Sequence, residues 1–353
     1  MILELTEKLS KGNLTAEEMS AAMKEVMSGQ ADTSSIVAFL KALNAQGITP
    51  DELAGAAGVM GDYVLKINSI HKVILDTCGT GGDKSHTFNI STAAAFVASA
   101  AGIAVAKHGN RSVSSKCGSA DVLEALGINI NMGKEIAQKC LDEIGITFLF
   151  APNFHPAMKY AMPARKEIGV KTIFNYLGPL CNPAQAAHQL IGAPDIGCAL
   201  NMAEALVKLG AGHTKHALVV SGDDLTDEFT TQSDARTLIY EVYEGKLVNS
   251  KAEALSAKDF GFKEAQPGAV NGLTVEENAR ILREILENKL QGPYQDIVLL
   301  NAGAALYAAK TEIEPLKIGI TNGIELARLA LESGKALEKL ELLIKYSNHP
   351  CLK

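Results

Sequence analysis

The sequence predicts an α/β protein: a small all-helical domain ahead of a larger α/β domain with a central, mostly parallel sheet. Three observations lead there. The first 68 or so residues carry apolar side chains only at helical spacing. From residue 72 onward, short apolar runs alternate with helical segments, the pattern of strands joined by crossover helices. Loops at the ends of those runs are rich in glycine, hydroxyl and basic residues, as ligand loops on such sheets are.

Taken in order, LTAEEMSAAMKEVMSG opens on Thr15 as a helix cap with acidic residues in its first turn. SSIVAFLKALNAQG and TPDELAGAAGVMGDYVLKI repeat the pattern, and no strand is expected before residue 72. KVILDT (72–77) reads as a buried strand, a glycine loop follows, and STAAAFVASAAG reads as a helix. IAVAKHG is the next strand, SADVLEALG the next helix, and GITFLFAP the next strand. FHPAMKYAMPARKEIG (154–169) returns to helical spacing, which suggests that it packs back on the N-terminal helices. KHALVVSG (215–222) is again a strand. RTLIYEVYEGKLVN reads as a hairpin turning at Glu244-Gly245, and the chain from Thr274 to about Tyr346 is mostly helical.

The composition is that of an ordinary globular chain: of 353 residues, 47% are hydrophobic and 21% charged, ample for a large core. A net charge of −7 argues against a general nucleic-acid binder. The six cysteines (Cys78, Cys117, Cys140, Cys181, Cys198 and Cys351) form no CxxC pair and suggest free thiols in a reducing cytoplasm. The N-terminus lacks a signal-peptide pattern, and no run is long enough to span a membrane.

GTGGD (79–83) is the densest chemical signal, with three glycines in its first four positions. It is not the dinucleotide fingerprint GxGxxG, because the sixth residue from Gly79 is Lys84. Nor is it a P-loop, because Asp83 stands before Lys84-Ser85 where glycine is required. The shared physics remains: a strand ends, glycines let backbone N–H groups converge, and a helix begins at NIST (89–92), which together favour an anion. Ser91 or Thr92 suits either an N-cap or a ligand contact, and the residues alone leave both open. Asp83 suits a sugar hydroxyl or the ordering of its own loop. A second donor-rich loop follows the next strand, offering Lys107, His108, Asn110, Arg111, Ser112, Ser114, Ser115, Lys116 and Ser119. Two such loops at successive strand ends favour one shared phosphate or pyrophosphate ligand. His108 has no sequence-visible triad partner and is assigned no proton transfer. SGDDLTDEFT places Asp223, Asp224, Asp227 and Glu228 after a further strand, and hard oxygen ligands beside a polyphosphate site suit Mg²⁺.

These residues resemble the anthranilate phosphoribosyltransferase family. The motifs that carry the resemblance are GTGGD (79–83), NIST (89–92), KHGNRSVSSKCGSADVLEALG (107–127) and IFNYLGPLCNPA (173–184), extended by PARKEIG (163–169) and NAGAALY (301–307). The resemblance implies a fold like that of nucleoside phosphorylases and phosphoribosyltransferases, with a small domain of residues 1–69 completed by about 154–190. Residues 70–353, apart from that segment, then form the large domain. It also implies a homodimer through the helical domain and a cytoplasmic enzyme of tryptophan biosynthesis. The implied reaction joins the amine of anthranilate to the ribosyl group of 5-phospho-α-D-ribose 1-diphosphate, with Mg²⁺. Carried over by motif, the donor would meet Gly79, Gly82, Asp83, Thr87, Asn89, Ile90, Ser91 and Thr92. It would also meet Lys107, His108, Gly109, Asn110, Arg111, Ser112, Val113, Ser114, Ser115 and Ser119. Lys107 would be the catalytic cation. Gly79, Asn110, Pro152, His155 and Arg165 would meet anthranilate, and Ser91, Asp227 and Glu228 would touch the metal.

One stretch departs from the family pattern. A His-Gly followed by Asp-Gly-x-Asp-Glu is usual there, whereas this chain has Ser221-Gly222-Asp223-Asp224-Leu225-Thr226-Asp227-Glu228. Asp223 and Asp224 therefore stand as alternative metal ligands. Two competing readings are a pyrimidine nucleoside phosphorylase on a similar scaffold and a non-catalytic nucleic-acid binder. The acidic pair with Asn110 and Arg165 disfavours the first, and the net charge disfavours the second.

Overall fold

The structure, a computed structural model, describes residues 1–81, 87–112 and 117–349. Four helices come first: α1 (Ile2–Leu9), α2 (Ala16–Met27), α3 (Thr33–Gln46) and α4 (Pro50–Asp62). Their starts follow local chemistry. Thr15 accepts the Glu18 N–H while the Glu18 carboxylate accepts the Thr15 N–H, a reciprocal cap repeated by Thr49 and Glu52. Glu52 is fully buried because it is fully used: it also accepts the Leu14 N–H at 3.0 Å. Met19, Met23, Phe39, Leu40 and Leu43 fill the space between these helices.

The α/β part begins with β1 (Ile74–Asp76), α5 (Ile90–Ala100), β2 (Ala104–Gly109), α6 (Ser119–Ala125), α7 (Lys134–Ile144) and β3 (Ile146–Phe150). Next come α8 (Ala151–Phe154), a 3-10 turn, α9 (Met162–Ile168) and α10 (Ile173–Leu177). The sheet resumes with β4 (His188–Gly192), α11 (Ile196–Leu209), β5 (His216–Gly222), β6 (Thr237–Tyr243), β7 (Lys246–Leu247) and β8 (Glu253–Leu255). Four helices close the chain: α12 (Val275–Leu286), α13 (Pro293–Ala308), α14 (Leu316–Glu332) and α15 (Lys335–Ser347).

The strands run in the order β3-β2-β1-β4-β5-β6-β7, with β8 on β6. The first five are parallel and the last three join antiparallel, so the sheet is mostly parallel as expected. The β6–β7 hairpin turns at Glu244 (φ 46°) and Gly245 (φ 67°), the two positive values that a tight hairpin turn requires. The sequence reading passes from GITFLFAP directly to KHALVVSG, and the structure corrects it: β4 lies between them and pairs with both β1 and β5. Its first two side chains are polar, which disguises a buried strand. Both find partners inside, His188 Nδ1 at the Ala308 carbonyl (2.8 Å) and Gln189 Nε2 at the Pro179 carbonyl (2.6 Å).

This order positions the site. The chain steps outward from β1 to β2 and β3, then returns to the other side of β1 as β4. Between β1 and β4 the crossovers diverge and leave a crevice at the carboxyl ends of the strands. The segment after β3 meanwhile packs on the N-terminal helices, where Ile173, Phe174 and Leu177 of α10 share one core with Met19, Phe39 and Met60.

Candidate active site

The glycine loop leaves β1 at Asp76 and lies across that crevice. The Thr80 N–H donates to the Gly192 carbonyl at the end of β4 (2.9 Å), so the loop bridges the two diverging strands. The approach is close on both sides. A Cβ at Gly79 would stand 2.8 Å from Asp227 Oδ2, and a Cβ at Gly192 would collide with the Asp227 carbonyl oxygen. Glycine is required at Gly192, where backbone would be struck, and at Gly79 it leaves room for the Asp227 carboxylate beside the loop.

Lys107 enters from β2. It is buried, yet its ammonium has three oxygens: the Thr77 carbonyl at 2.8 Å, Thr77 Oγ1 at 3.3 Å and Ser91 Oγ at 3.3 Å. Ser91 in turn donates its backbone N–H to Glu228 Oε1 at 3.1 Å. Residues far apart in sequence thus converge: Gly79, Ser91, Lys107, Asp227 and Glu228. Neither Ser91 nor Thr92 caps α5; the N-cap is Asn89, and both hydroxyl residues lie inside the first turn. Thr92 Oγ1 is buried without a partner among the described residues.

Asp76 underlies this group and escaped the sequence reading, as did Asn182. The Asp76 carboxylate accepts the His108 N–H at 3.1 Å and Asn182 Nδ2 at 2.7 Å. Burial pushes its pKa up to about 6 against the opposing pull of Lys107. Cys78 and His108 lie close to Asp76, but both ring nitrogens of His108 are engaged, so this cluster is not a ready metal site. Burial likewise raises the Cys78 thiol, which rules it out as a thiolate nucleophile near neutrality.

Asp227 and Glu228 are the residues that fit a hard cation. They supply carboxylate oxygens at the mouth of the crevice, next to the Ser91 hydroxyl residue and the glycine loop. Asp223 and Asp224, the alternative ligands, are each engaged in hydrogen bonds close by. Asp223 Oδ1 accepts the Arg236 N–H (2.8 Å), while Asp224 accepts the Thr230 hydroxyl (2.6 Å) and the Thr226 N–H (3.3 Å), all closing the turn itself. Leu225, at the departure from the family pattern, takes φ 70°, the left-handed conformation that glycine adopts without strain.

Around the β2 loop the residues divide. Arg111 is committed to α6, with Nη1 on Asp121 and Nη2 on Glu124, both at 2.8 Å, and it lies over the Phe150 ring. Ser112 donates its N–H to Asp121 Oδ2 (3.1 Å). Gly109 lets Ser119 approach, and Ser119 Oγ bonds the carbonyl of the exposed Asn110 at 3.3 Å. Ser119 is the first residue of α6, whose N-cap is Gly118. Asn89 ties the Cys117 carbonyl (3.1 Å) and meets Asn278 Nδ2 (3.4 Å). Ile90 is a core residue whose N–H already bonds the Phe88 carbonyl, and Thr87 bridges to Asn271. Gly82, Asp83, Val113, Ser114, Ser115 and Lys116 lie outside the described residues, as does Cys351.

Three of the expected acceptor residues, Pro152, His155 and Arg165, follow β3 in the chain, whereas Gly79 and Asn110 lie on the two loops already described. His108 Nδ1 faces the Gly178 carbonyl at 3.0 Å, and a carbonyl can only accept, so the proton is on Nδ1. His108 Nε2 is then an acceptor, and the His155 Nε2–H, 3.1 Å away, donates to it. That leaves His155 Nδ1 an unprotonated, buried acceptor with no partner among the described residues. Burial depresses both imidazoles, His108 to about 4 and His155 to about 3, so the pair is neutral at pH 7. Pro152 is exposed at the start of α8. Arg165 on α9 lies 5.5 Å from the Phe174 ring centroid, is depressed by burial, and has no carboxylate partner among the described residues. A half-buried guanidinium without a counter-ion suits an incoming carboxylate.

Known proteins resemble this chain along nearly all of its length. Residues 4–63 match the helical bundle domain of the glycosyl transferase family, and residues 71–337 match its a/b domain. The anthranilate phosphoribosyltransferase of Herpetosiphon aurantiacus is 46% identical over 339 residues, 96% of each chain. That of Desulfosudis oleivorans is 47% identical over 343 residues, 97% of each. Among solved structures, anthranilate phosphoribosyltransferase from Thermus thermophilus superposes with a TM-score of 0.87 at 38% identity, covering 98% of this chain and 99% of that one. The Saccharomyces cerevisiae enzyme, solved in complex with PRPP and Mg, gives 0.87 at 27% identity, covering 98% and 97%. The chain belongs to the anthranilate phosphoribosyltransferase family.

Proposed function

We propose that the crevice between β1 and β4 transfers the 5-phosphoribosyl group of 5-phospho-α-D-ribose 1-diphosphate to the amine of anthranilate, releasing diphosphate. The observation that carries this reading is the convergence of Lys107, Ser91 and Glu228 beside the glycine loop, each within hydrogen-bond reach of the next. A buried cation there faces acidic side chains, so an anion and a divalent cation bound together complete the charge balance.

The chemistry follows from the donor. Breaking the anomeric C–O bond builds negative charge on the diphosphate and positive charge on the ribose. Lys107 and the amides of the glycine loop stabilise the departing charge in a site with little water. Mg²⁺, held by Ser91, Asp227 and Glu228, would neutralise diphosphate oxygens when bound. Anthranilate's aromatic amine is neutral near pH 7 and nucleophilic as it stands, so orientation matters more than deprotonation. Arg165 binds its carboxylate through the planar guanidinium fork, and Asn110, Pro152 and the neutral His155 border it. Neither imidazole of the His108–His155 pair carries a charge that would repel the developing ribosyl cation.

The same reading assigns residues 1–69 and about 154–190 to one domain and makes the protein a cytoplasmic homodimer through it. The shared core of α10 with the N-terminal helices supports the first part, and exposed Leu3, Tyr160 and Met162 on that domain support the second. Light scattering during size-exclusion chromatography tests the dimer. The reaction is tested by following anthranilate fluorescence. Loss of signal should require the ribosyl donor and Mg²⁺ together, and loss without donor would overturn the reading.

A further inference from the structure

Lys171 belongs to none of the groups placed so far, yet it connects the helical layer to the glycine loop. Its carbonyl accepts Asn44 Nδ2 of α3 at 2.7 Å. It precedes Thr172, the N-cap of α10, and α10 buries Ile173, Phe174 and Leu177 among the N-terminal helices. Its ammonium donates to the Gly81 carbonyl at 3.0 Å. The neighbouring Thr80 N–H is meanwhile fixed to the Gly192 carbonyl, so the loop is held from two sides. Cys198 in the first turn of α11 marks the location. Burial raises its thiol, and Asp195, Lys171 and Asp227 all lie within electrostatic reach of it.

An anion on a glycine loop is attracted by N–H groups and repelled by carbonyl oxygens. The Gly81 carbonyl is one such oxygen among the described residues of the loop, and Lys171 covers it with positive charge. We infer that Lys171 is a positioning residue for the phosphoribosyl donor: anchored on α3 and α10, it holds Gly81 so that the loop accepts a diphosphate. Donor affinity thereby depends on a contact made by the helical layer. The inference rests on the donor reading given above, and it concerns the donor alone.

The test is calorimetric titration of the full-length protein with 5-phospho-α-D-ribose 1-diphosphate and Mg²⁺, without anthranilate, for the wild type, Lys171→Met and Lys171→Arg. Steady-state kinetics and thermal melts accompany it. Loss of one charge-assisted contact should raise the donor Kd and KM of Lys171→Met roughly tenfold, with kcat and the anthranilate KM changed by less than about twofold. Lys171→Arg should recover most of the affinity. An unchanged donor Kd overturns the inference. So does a loss that arginine fails to recover, or one that accompanies a lowered melting temperature in both variants. A wild type that binds donor but leaves anthranilate untouched would refute the acceptor assignment instead.

Discussion

The buried His108–His155 pair should make the protein acid-labile in a pH window fixed by its geometry. Both imidazoles are held neutral, His108 at about 4 and His155 at about 3, whereas the free side chain titrates at 6.5. Below pH 6.5 the unfolded chain binds protons that the native pair refuses, so stability falls with pH until the native values are reached. Between pH 7 and pH 5 each histidine should cost a little under about 2 kcal/mol, since both native values lie below that range. Asp76 acts in the opposite sense. Its native value is raised to about 6, so its contribution is lost as pH rises and recovered as pH falls, by a little over about 1 kcal/mol across the same interval. The three groups together predict a net loss of roughly 2 kcal/mol. Replacing His155 by Gln keeps an amide donor and acceptor but removes one titration. Urea unfolding followed by circular dichroism at pH 7 and pH 5 should show a loss smaller by about 2 kcal/mol in the variant. An equal loss in both proteins would mean that His155 protonates as readily in the native state as in the unfolded chain, which refutes the buried neutral pair.

Three further outcomes follow from the site. Arg165→Ala should raise the anthranilate KM at least roughly tenfold, the effect of losing a charged hydrogen bond, while the donor KM stays within about twofold. If only the donor KM moves, Arg165 does not hold the acceptor. Asp227→Asn combined with Glu228→Gln should lower activity and shift the magnesium titration to higher concentration; an unchanged titration would exclude the pair as ligands. Leu225→Gly should leave stability unchanged or raise it by up to about 1 kcal/mol, because the side chain is 55% exposed and the left-handed backbone is relieved. A loss in a denaturant melt would show that Leu225 packs in a way the turn geometry does not suggest.

Where local chemistry decides a feature, the sequence was readable. Thr15 with Glu18 marks a helix start, and Glu244-Gly245 marks a hairpin, because each needs only near neighbours. The alternation of strands and helices gave the α/β class for the same reason. Strand β4 was hidden because the partners that make His188 and Gln189 acceptable inside are the carbonyls of Ala308 and Pro179, one of them 120 residues away. The site divides in the same manner. Glycine and hydroxyl motifs mark the loops, but the Asn182 bond to Asp76 and the Lys171 bond to Gly81 arise only when α9, α10 and the following loop fold back on the sheet. The Arg111 pairs with Asp121 and Glu124 could not be read from the sequence either, because they form only when the β2 loop folds against α6. Leu225 takes a left-handed backbone that glycine adopts freely, and the loop that follows brings Asp227 to Gly79 and Glu228 to Ser91.

The central claim is that one crevice couples departure of diphosphate to capture of the ribosyl group by anthranilate. Measuring diphosphate release and anthranilate loss in the same reaction tests it most directly. The two progress curves should coincide mole for mole, and diphosphate release should stay at background when anthranilate is omitted. Diphosphate formed at the full rate without anthranilate, or anthranilate consumed without diphosphate, would contradict it.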